Sequence, residues 1–316
     1  MIVFMGTPEF AVPILEMLIK EKYQIGLVVT QPDKRIGRKK TLEEPPVKVV
    51  AKKYNLEVFQ PFNIKDDYQK ILDLKPKLII TAAYGQIIPK VIFDNIKSIN
   101  IHGSLLPKYR GGAPIQYALF NGDLKTGITI MEMIYKMDAG NIIYQEEISI
   151  DKDDDYLSLS NKLSLLGKKM LKEKLPTILN NHHPSIIQKE DLVTYSPTLK
   201  YEDEALDFKK EASYNHNRIR GLSPNVGAHF KINGTIVKVF KSKINDIIKL
   251  SPNEIKIIDK KLLIGCKDYA LEILLIQQQS KRLMSIKDYL NGQTLFKDGG
   301  FINEWTQTLL QPWWNA

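Results

Sequence analysis

Apolar runs alternate with segments of helical periodicity over the first third of the chain. The runs are short and almost wholly apolar, which is typical of strands buried on both faces of a parallel sheet. Strands are predicted at Ile2–Phe4, Ile25–Thr30, Leu56–Phe59, Leu78–Ala82 and Ile99–Ile101. Helices are predicted at Pro8–Glu21, with Thr7 as its N-cap, and at Val47–Tyr54 and Asp66–Leu74. This order predicts an α/β domain with a mostly parallel sheet, in which ligands bind beyond the carboxyl ends of the strands.

The pattern changes after residue 122. Gly127–Met133 and Asn141–Ile150 are predicted to form an antiparallel pair of strands, and Tyr156–Leu179 has the periodicity of a long helix. Residues 181–205 lack strong periodicity and contain His-His-Pro, acidic residues and Ser-Pro, as linkers commonly do.

Short strands dominate the last third, where Asn233-Gly234 is a strong hairpin signal. The predicted elements are a helix at Ser213–Arg220 and strands at Ala228–Ile232, Thr235–Phe240, Glu254–Ile258, Lys261–Cys266 and Ala270–Ile276. Their spacing predicts a small β-barrel of the oligonucleotide-binding type, with a sandwich as the alternative. We therefore expect a first domain at 1–188, a linker at 189–205 and a β domain at 206–316.

Composition narrows the class of protein. The 316 residues are 43% hydrophobic and 26% charged, which argues against wholesale disorder. No apolar run approaches the ~18–20 residues of a membrane span, and the first residues lack the positive charge that begins a signal peptide. The chain has a single cysteine, Cys266, so it cannot form an internal disulfide. This argues against a small secreted protein that is stabilised by disulfides. We expect a cytoplasmic enzyme or binding protein that does not associate with a membrane.

Positive charge is concentrated towards the end of the chain. The protein has 45 Lys and Arg against 36 Asp and Glu, a net charge of +9, and residues 206–316 carry 17 basic against 10 acidic side chains. Such an excess favours a polyanionic partner, because neutralised phosphates release counterions. A lysine-rich surface that serves solubility is the other interpretation.

Several common ligand motifs are absent. The first strand-to-helix turn, Met5–Phe10, has one glycine where a dinucleotide-binding turn needs three. There is no Walker A sequence, no Gly-x-Ser-x-Gly elbow and no paired Cys/His spacing for zinc. We expect neither a nicotinamide cofactor nor a metal.

Polar side chains gather at the end of the fifth predicted strand. Asn100 and His102 are two residues apart, so the period of a strand places both on one face, with Ile101 on the other. Asp138 follows in a predicted turn, and a carboxylate that returned from there to His102 would favour the charged imidazolium. Each residue alone also fits an ordinary structural role in a turn or a core.

The longer pattern is far more specific than these residues taken singly. Asn100–Gly111, with the sequence NIHGSLLPKYRG, and Met137–Gly140 strongly resemble the folate-dependent formyltransferases. Further matching segments are Phe4–Phe10, Thr30–Asp33, Gly37-Arg38, Ala83–Pro89, Ala113–Gln116, Thr126–Met131 and Lys281–Met284. The branch of that family that acts on methionyl-initiator tRNA matches almost the whole chain.

The resemblance implies a Rossmann-like formyltransferase domain, a linker and a C-terminal β-barrel that binds tRNA. It implies transfer of the formyl group of 10-formyltetrahydrofolate to the amino group of methionyl-initiator tRNA, which releases tetrahydrofolate. The alternative within the family is formylation of a small amine, such as glycinamide ribonucleotide or an amino sugar nucleotide. A non-catalytic RNA-binding protein is a third interpretation, and the intact Asn100, His102 and Asp138 argue against it. A monomer is expected.

The resemblance also assigns residues. It makes Asn100, His102 and Asp138 the catalytic trio, in which Asn100 is suited to donate to the formyl oxygen and Asp138 to orient His102. Folate is expected along Tyr84, Gly85, Gln86 and Ile87 and against Ser104, Leu105, Leu106 and Pro107; tRNA is expected at Arg38, Lys39, Lys40, Lys281 and Arg282. One departure from the family is the turn Ser223–Ala228, which lacks the usual aromatic residue and second proline.

Overall fold

The chain divides into two units in a computed structural model that describes residues 1–36, 41–292 and 295–302. The first unit comprises Met1–Ala118 with Asp123–Leu199, and the second comprises Leu119–Gly122 with Lys200–Ala316. The predicted linker at 189–205 is therefore shared between them, because residues 189–199 belong to the first unit and 200–205 to the second. The boundaries drawn from the sequence stay a prediction.

A seven-stranded sheet organises the first unit. The strands up to residue 149 are β1 (Ile2–Gly6), β2 (Ile25–Val29), β3 (Lys34–Ile36), β4 (Thr41–Glu43), β5 (Val58–Phe59), β6 (Leu78–Ala82), β7 (Ser98–His102), β8 (Lys125–Glu132) and β9 (Ile142–Ser149). The helices are α1 (Val12–Lys20), α2 (Pro46–Lys53), α3 (Ile64–Asp67), α4 (Gln69–Asp73), α5 (Lys90–Asn95), α6 (Pro114–Phe120) and α7 (Tyr156–Leu179). The order in the large sheet is β5-β2-β1-β6-β7-β8-β9, parallel from β5 to β7 and antiparallel from β7 to β9.

The centre of this sheet is fully buried. All five residues of β1 and all five of β6 are buried, as the continuous apolar runs predicted. Helix α7 is capped by a reciprocal pair of hydrogen bonds between Asp155 and Ser158, and it packs closely on β7. Gly167 makes this approach possible, because a Cβ at this position would lie 2.9 Å from the Ile101 side chain.

The first helix begins later than the sequence pattern predicts. A 3₁₀ turn at Glu9–Ala11 precedes α1, and Thr7 does not cap the helix. The Thr7 hydroxyl instead donates to the Tyr84 carbonyl, 2.8 Å away, and accepts a hydrogen bond from the Gln31 amide at 3.3 Å. Thr7 therefore ties the ends of three neighbouring strands together, a role that long-range contacts decide.

The second unit is an antiparallel β domain. Its elements are α8 (Ala212–Leu222), β10 (Ala228–Ile232), β11 (Thr235–Asn245), β12 (Ile255–Ile258), β13 (Lys261–Gly265), β14 (Ala270–Gln278), β15 (Met284–Ser285) and α9 (Ile286–Leu290). The strand order is β10-β11-β14-β13-β12, with β15 on β14. Asn233 and Gly234 join β10 to β11 with φ of 48° and 74°, as the hairpin signal predicted. The predicted class, an α/β domain followed by a β domain, is confirmed.

None of the helices in the described part of the chain is both long and apolar enough to span a membrane.

Candidate active site

A cavity of about 730 Å³ opens at the carboxyl ends of β6 and β7. This is the edge at which open α/β sheets bind ligands. Its walls come from the segment after β6, the end of β7, the segment after β8 and the loop before α6. The lining includes Tyr84, Gly85, Gln86, Ile87, Asn100, His102, Gly111, Met133, Asp138, Pro197 and Thr198. All three residues of the predicted trio therefore meet at one cavity.

The side-chain amide of Asn100 has a defined orientation. Its Oδ1 accepts a hydrogen bond from the Thr81 hydroxyl at 2.8 Å, and its Nδ2 lies 3.4 Å from Oδ1 of Asp138. A carboxylate can only accept, so the atom facing Asp138 must be the NH₂ group. The amide hydrogens of Asn100 are thus directed to the side of the cavity where Asp138 lies.

His102 is buried, and one of its ring nitrogens is engaged by the backbone. Nε2 lies 2.9 Å from the carbonyl oxygen of Tyr109, which can only accept, so this nitrogen carries a hydrogen. The other nitrogen, Nδ1, lies 3.7 Å from Oδ2 of Asp138. That separation is longer than a hydrogen bond but suits an ion pair whenever the imidazole is protonated. Nδ1 is therefore the ring atom left to exchange a proton.

Asp138 adopts a left-handed backbone conformation, with φ of 48°. Its Oδ2 accepts a hydrogen bond from the Gly111 amide at 2.9 Å, so the carboxylate is held by the loop before α6 as well as by its neighbours on β7. Its carbonyl oxygen accepts from Nε2 of Gln188 at 2.8 Å. Asp138 therefore joins three segments that are far apart in the sequence.

The expected folate residues fall into two groups. Tyr84, Gly85, Gln86 and Ile87 line the cavity. Ser104, Leu105, Leu106 and Pro107 are not among its lining residues, and Leu106 instead packs in a small core with Met131 and Ile142. Leu106 is also held from the backbone, because its amide donates to Thr129 Oγ1 and its carbonyl accepts from Gln145. Leu106 is therefore held by contacts outside the cavity lining, and the assignment of this second group to folate stays a prediction.

An apolar wall of the cavity was missed by sequence reasoning. Met133, Ile134, Tyr135 and Met137 follow β8 and line the cavity, and the last three are largely exposed. Their one signal in the sequence is a run of large apolar residues in a predicted turn just before Asp138. Exposed apolar side chains beside a polar cluster are typical of a ligand-binding wall.

The residues expected to contact tRNA are only partly described. Arg38, Lys39 and Lys40 lie outside the described residues. The strands β3 and β4, which flank them in the sequence, pair with each other in antiparallel fashion. Lys281 and Arg282 are exposed and follow β14 in the second unit.

Across residues 1–36, 41–292 and 295–302, no three His, Cys, Asp or Glu side chains cluster as a metal site.

Comparisons with known proteins place this site in a family. A model of the formyl transferase family matches residues 1–175, and a model of its C-terminal domain matches residues 198–294. The chain belongs to the formyl transferase family. It is 44% identical over 298 residues to a methionyl-tRNA formyltransferase of Lactobacillus acidophilus, a match that covers 92% of this chain and 95% of the relative. A methionyl-tRNA formyltransferase of Staphylococcus epidermidis is also 44% identical, over 92% of this chain and 96% of its own length.

Solved structures share the fold at lower identity. An N-formyltransferase from Helicobacter canadensis, in complex with folinic acid and dTDP-3-aminofucose, superposes with a TM-score of 0.67 at 21% identity. The match covers 86% of this chain and 98% of that one. At this identity the likeness shows the fold alone.

Proposed function

We propose that the protein transfers the formyl group of 10-formyltetrahydrofolate to the amino group of methionyl-initiator tRNA. The observation that carries this proposal is the meeting of Asn100, His102 and Asp138 at one cavity, in a chain 44% identical to methionyl-tRNA formyltransferases over nearly its whole length. The basic β domain, with 17 basic against 10 acidic side chains over residues 206–316, suits a polyanionic substrate.

The cavity fits the folate that the family implies. The Tyr84 hydroxyl is buried and has no hydrogen-bond partner among the described residues, and buried polar atoms of this kind commonly complete their bonding with a ligand or water. Burial raises the pKa of this hydroxyl, so it remains a neutral donor. Met133 and Tyr135 offer apolar surface to an aromatic ring. Residues Tyr84–Ile87 and this wall would hold the folate, which supplies the activated formyl group when bound.

Each member of the trio has a distinct role in this proposal. The Nδ2 hydrogens of Asn100 stabilise the charge that develops on the formyl oxygen, since donors aimed at such an oxyanion lower the barrier. Nδ1 of His102 exchanges the proton of the reacting groups, because Nε2 is bound to the Tyr109 carbonyl. Asp138 stabilises the imidazolium across the 3.7 Å separation from Nδ1.

The test is formyl transfer measured with the purified protein, 10-formyltetrahydrofolate and methionyl-initiator tRNA. Asn100→Ala, His102→Ala and Asp138→Asn should each lower kcat by about 100-fold or more, the effect of losing an oxyanion donor or a proton-transfer group. Folate affinity should change little, because the bulk of the cavity wall is untouched. Near-normal turnover by a folded His102→Ala variant would overturn the assignment.

The same assay separates the substrates. Methionyl-elongator tRNA, glycinamide ribonucleotide and an amino sugar nucleotide are offered alongside methionyl-initiator tRNA. Preferential formylation of a small amine would replace the proposed substrate with the alternative and leave the trio in place.

A further inference from the structure

The segment Gln188–Thr198, here called the strap, crosses the candidate active site. It comprises most of what the sequence pattern suggests is a linker, yet it belongs to the first unit. Gln188 is buried and Ser196 is fully buried. Pro197 and Thr198 line the cavity itself. The side chains of a flexible spacer would be exposed to solvent. The burial of Gln188 and Ser196 therefore indicates that the strap has a structural role within the first unit.

Residues 194–196 of the strap pair with the loop Pro107–Ala113 through backbone hydrogen bonds. The Arg110 amide donates to the Thr194 carbonyl at 2.9 Å, the Ser196 amide donates to the Arg110 carbonyl at 2.8 Å, and the Ala113 amide donates to the Ser196 carbonyl at 3.0 Å. Gly111 allows this closeness, because a Cβ there would lie 2.5 Å from the Ser196 carbonyl oxygen. The loop therefore takes its conformation from the strap.

That loop holds His102. The Tyr109 carbonyl that binds Nε2 of His102 also accepts a hydrogen bond from the Ser196 hydroxyl, at 3.0 Å. The Tyr109 amide donates to Oγ1 of Thr194 at 2.9 Å, and Tyr109 has a φ of 65°. Left-handed backbone at a tyrosine is costly and persists when its surroundings over-determine it. The strap thus orients the carbonyl that orients the imidazole.

The strap also holds Asp138. Nε2 of Gln188 donates to the carbonyl oxygens of Asp138 and Gly140, at 2.8 and 2.7 Å. Its Oε1 accepts from Nε of the buried Arg110 at 3.0 Å, which leaves the amide no freedom to flip. Arg110 in turn donates to Glu190, and this hydrogen bond, aided by Lys136, lowers the pKa of the Glu190 carboxyl. Gln188 therefore links the turn that carries Asp138 to the loop that carries Arg110.

We propose that the strap is part of the catalytic machinery, with Gln188 and Ser196 as positioning residues that set the geometry of Asp138 and His102. The kinetic test of this inference rests on the proposed function. The contacts of Gln188 and Ser196 are present whichever substrate the protein uses. Misplacement of a reacting group by about 1 Å can cost about 100-fold in rate, so small relaxations of the strap have large kinetic effects.

The experiment compares Gln188→Met and Ser196→Ala in the full-length protein, with Ser185→Ala as control. Methionine keeps the volume of Gln188 without its hydrogen bonds, and alanine removes the Ser196 hydroxyl. Ser185 is exposed and lies just before the strap, and its hydroxyl bonds to the side chains of Asn141 and Glu132 rather than to Asp138 or the loop Pro107–Ala113. Both strap variants should lower kcat by about 10- to 100-fold while KM for folate and for charged tRNA changes less than about threefold. Ser185→Ala should match the wild type.

A double-mutant cycle tests whether Gln188 acts through Asp138. In an Asp138→Asn background, Gln188→Met should cost less than about threefold further, because residues that act through one another are not additive. Additive losses, or an unchanged kcat in both strap variants, would overturn the inference. Exchange of the Gly111 amide hydrogen, which is bonded to Asp138, gives a second measurement that does not need activity. It should accelerate by about tenfold in both strap variants and stay unchanged in Ser185→Ala.

A wild-type protein that did not formylate methionyl-initiator tRNA would count against the proposed function alone. The inference on the strap would then stand or fall by the exchange of the Gly111 amide.

Discussion

At the scale of single residues, His229 shows how burial changes a titratable group. It is fully buried on β10, and neither ring nitrogen has a hydrogen-bond partner within the described residues. Its ring stacks on Tyr201 with centroids 4.3 Å apart. Burial lowers the pKa of His229, and the charges of Lys238, opposite it in the register, and Lys231, two residues along, lower it further. The imidazole is therefore neutral in the folded protein.

The stability of the protein should consequently fall in mild acid. The pKa of His229 is lower in the folded than in the unfolded chain, so the unfolded chain binds the proton first as pH falls below about 6.5. The free energy of unfolding should decline by up to about 1.4 kcal/mol per pH unit until the folded-state pKa is passed. Urea unfolding between about pH 7 and pH 5 measures this. His229→Phe, which keeps the stack on Tyr201, should remove this part of the slope.

His182 provides the matched control for this prediction. It is an exposed histidine in the first unit, and His182→Gln should retain the slope of the wild type. An unaltered slope in His229→Phe would show that other groups carry the acid sensitivity.

At the scale of elements, the paired strands β3 and β4 are anchored at both ends by one lysine. Nζ of Lys48, on α2, donates to both oxygens of Asp33 at 2.8 and 2.7 Å and pairs with Glu44 at 3.1 Å. Asp33 comes just before β3 and Glu44 just after β4. The hydrogen bond from Gln60, together with Lys48, lowers the pKa of Asp33 and keeps it ionised. Lys48 thereby holds the chain on both sides of β3 and β4, the two strands that flank Arg38, Lys39 and Lys40 in the sequence.

Loss of this anchor should harm the reaction with tRNA selectively. Lys48→Met should lower kcat/KM on charged tRNA by about 5- to 10-fold, since the ion pairs of Lys48 with Asp33 and with Glu44 are both removed. Folate affinity should stay within about twofold.

Arg38→Ala should also lower kcat/KM on charged tRNA, and Lys39→Ala should reduce the salt dependence of binding by about one phosphate contact. Kinetics across a salt series measure all three.

Lys52→Met is the control for the anchor. Lys52 is more exposed than Lys48 and binds Glu44 alone, so its loss leaves Asp33 held. Equal losses in Lys48→Met and Lys52→Met would mean that the anchor has no specific role.

At the scale of the whole molecule, the two units carry different parts of the proposed function. The first contains the cavity, the trio and the strap, and the second contains residues 206–316, with 17 basic against 10 acidic side chains. A fragment of residues 1–199 should therefore bind folate within about threefold of the full protein. Its kcat/KM on charged tRNA should fall by about 100-fold or more, because the phosphate contacts that we expect from the basic second unit would be lost.

A fragment of residues 1–191 is the informative comparison. It lacks Thr194 and Ser196, which hold the loop that carries Tyr109. It should therefore lose the remaining turnover that the longer fragment keeps, and single-turnover assays of both fragments measure this. Equal activity in the two fragments would mean that the end of the strap is dispensable.

The sequence by itself determined much of the fold and predicted the centre of the candidate site. Continuous apolar runs predicted the buried strands β1 and β6, because a strand covered on both faces needs no polar side. Asn233-Gly234 predicted its hairpin, because both positions need positive φ. The period of two along β7 predicted that Asn100 and His102 share a face, and both line one cavity. Strand burial, turn conformation and side-chain alternation depend on residues close together in the sequence, so the local sequence pattern predicts them.

Only the tertiary structure decided what surrounds that centre. It packed Leu106 against Met131 and Ile142, brought Met133 and Tyr135 to the cavity wall, and placed Pro197 and Thr198 of the strap at the cavity. Gln188 and Arg110 meet across 78 residues of chain, and Ser196 and Tyr109 across 87. Such hydrogen bonds join segments that lack the periodicity of a helix or a strand. The residues around them in the sequence therefore do not predict which side chains will bond. They form because burial of these polar groups requires partners, and the fold alone determines which partners are near.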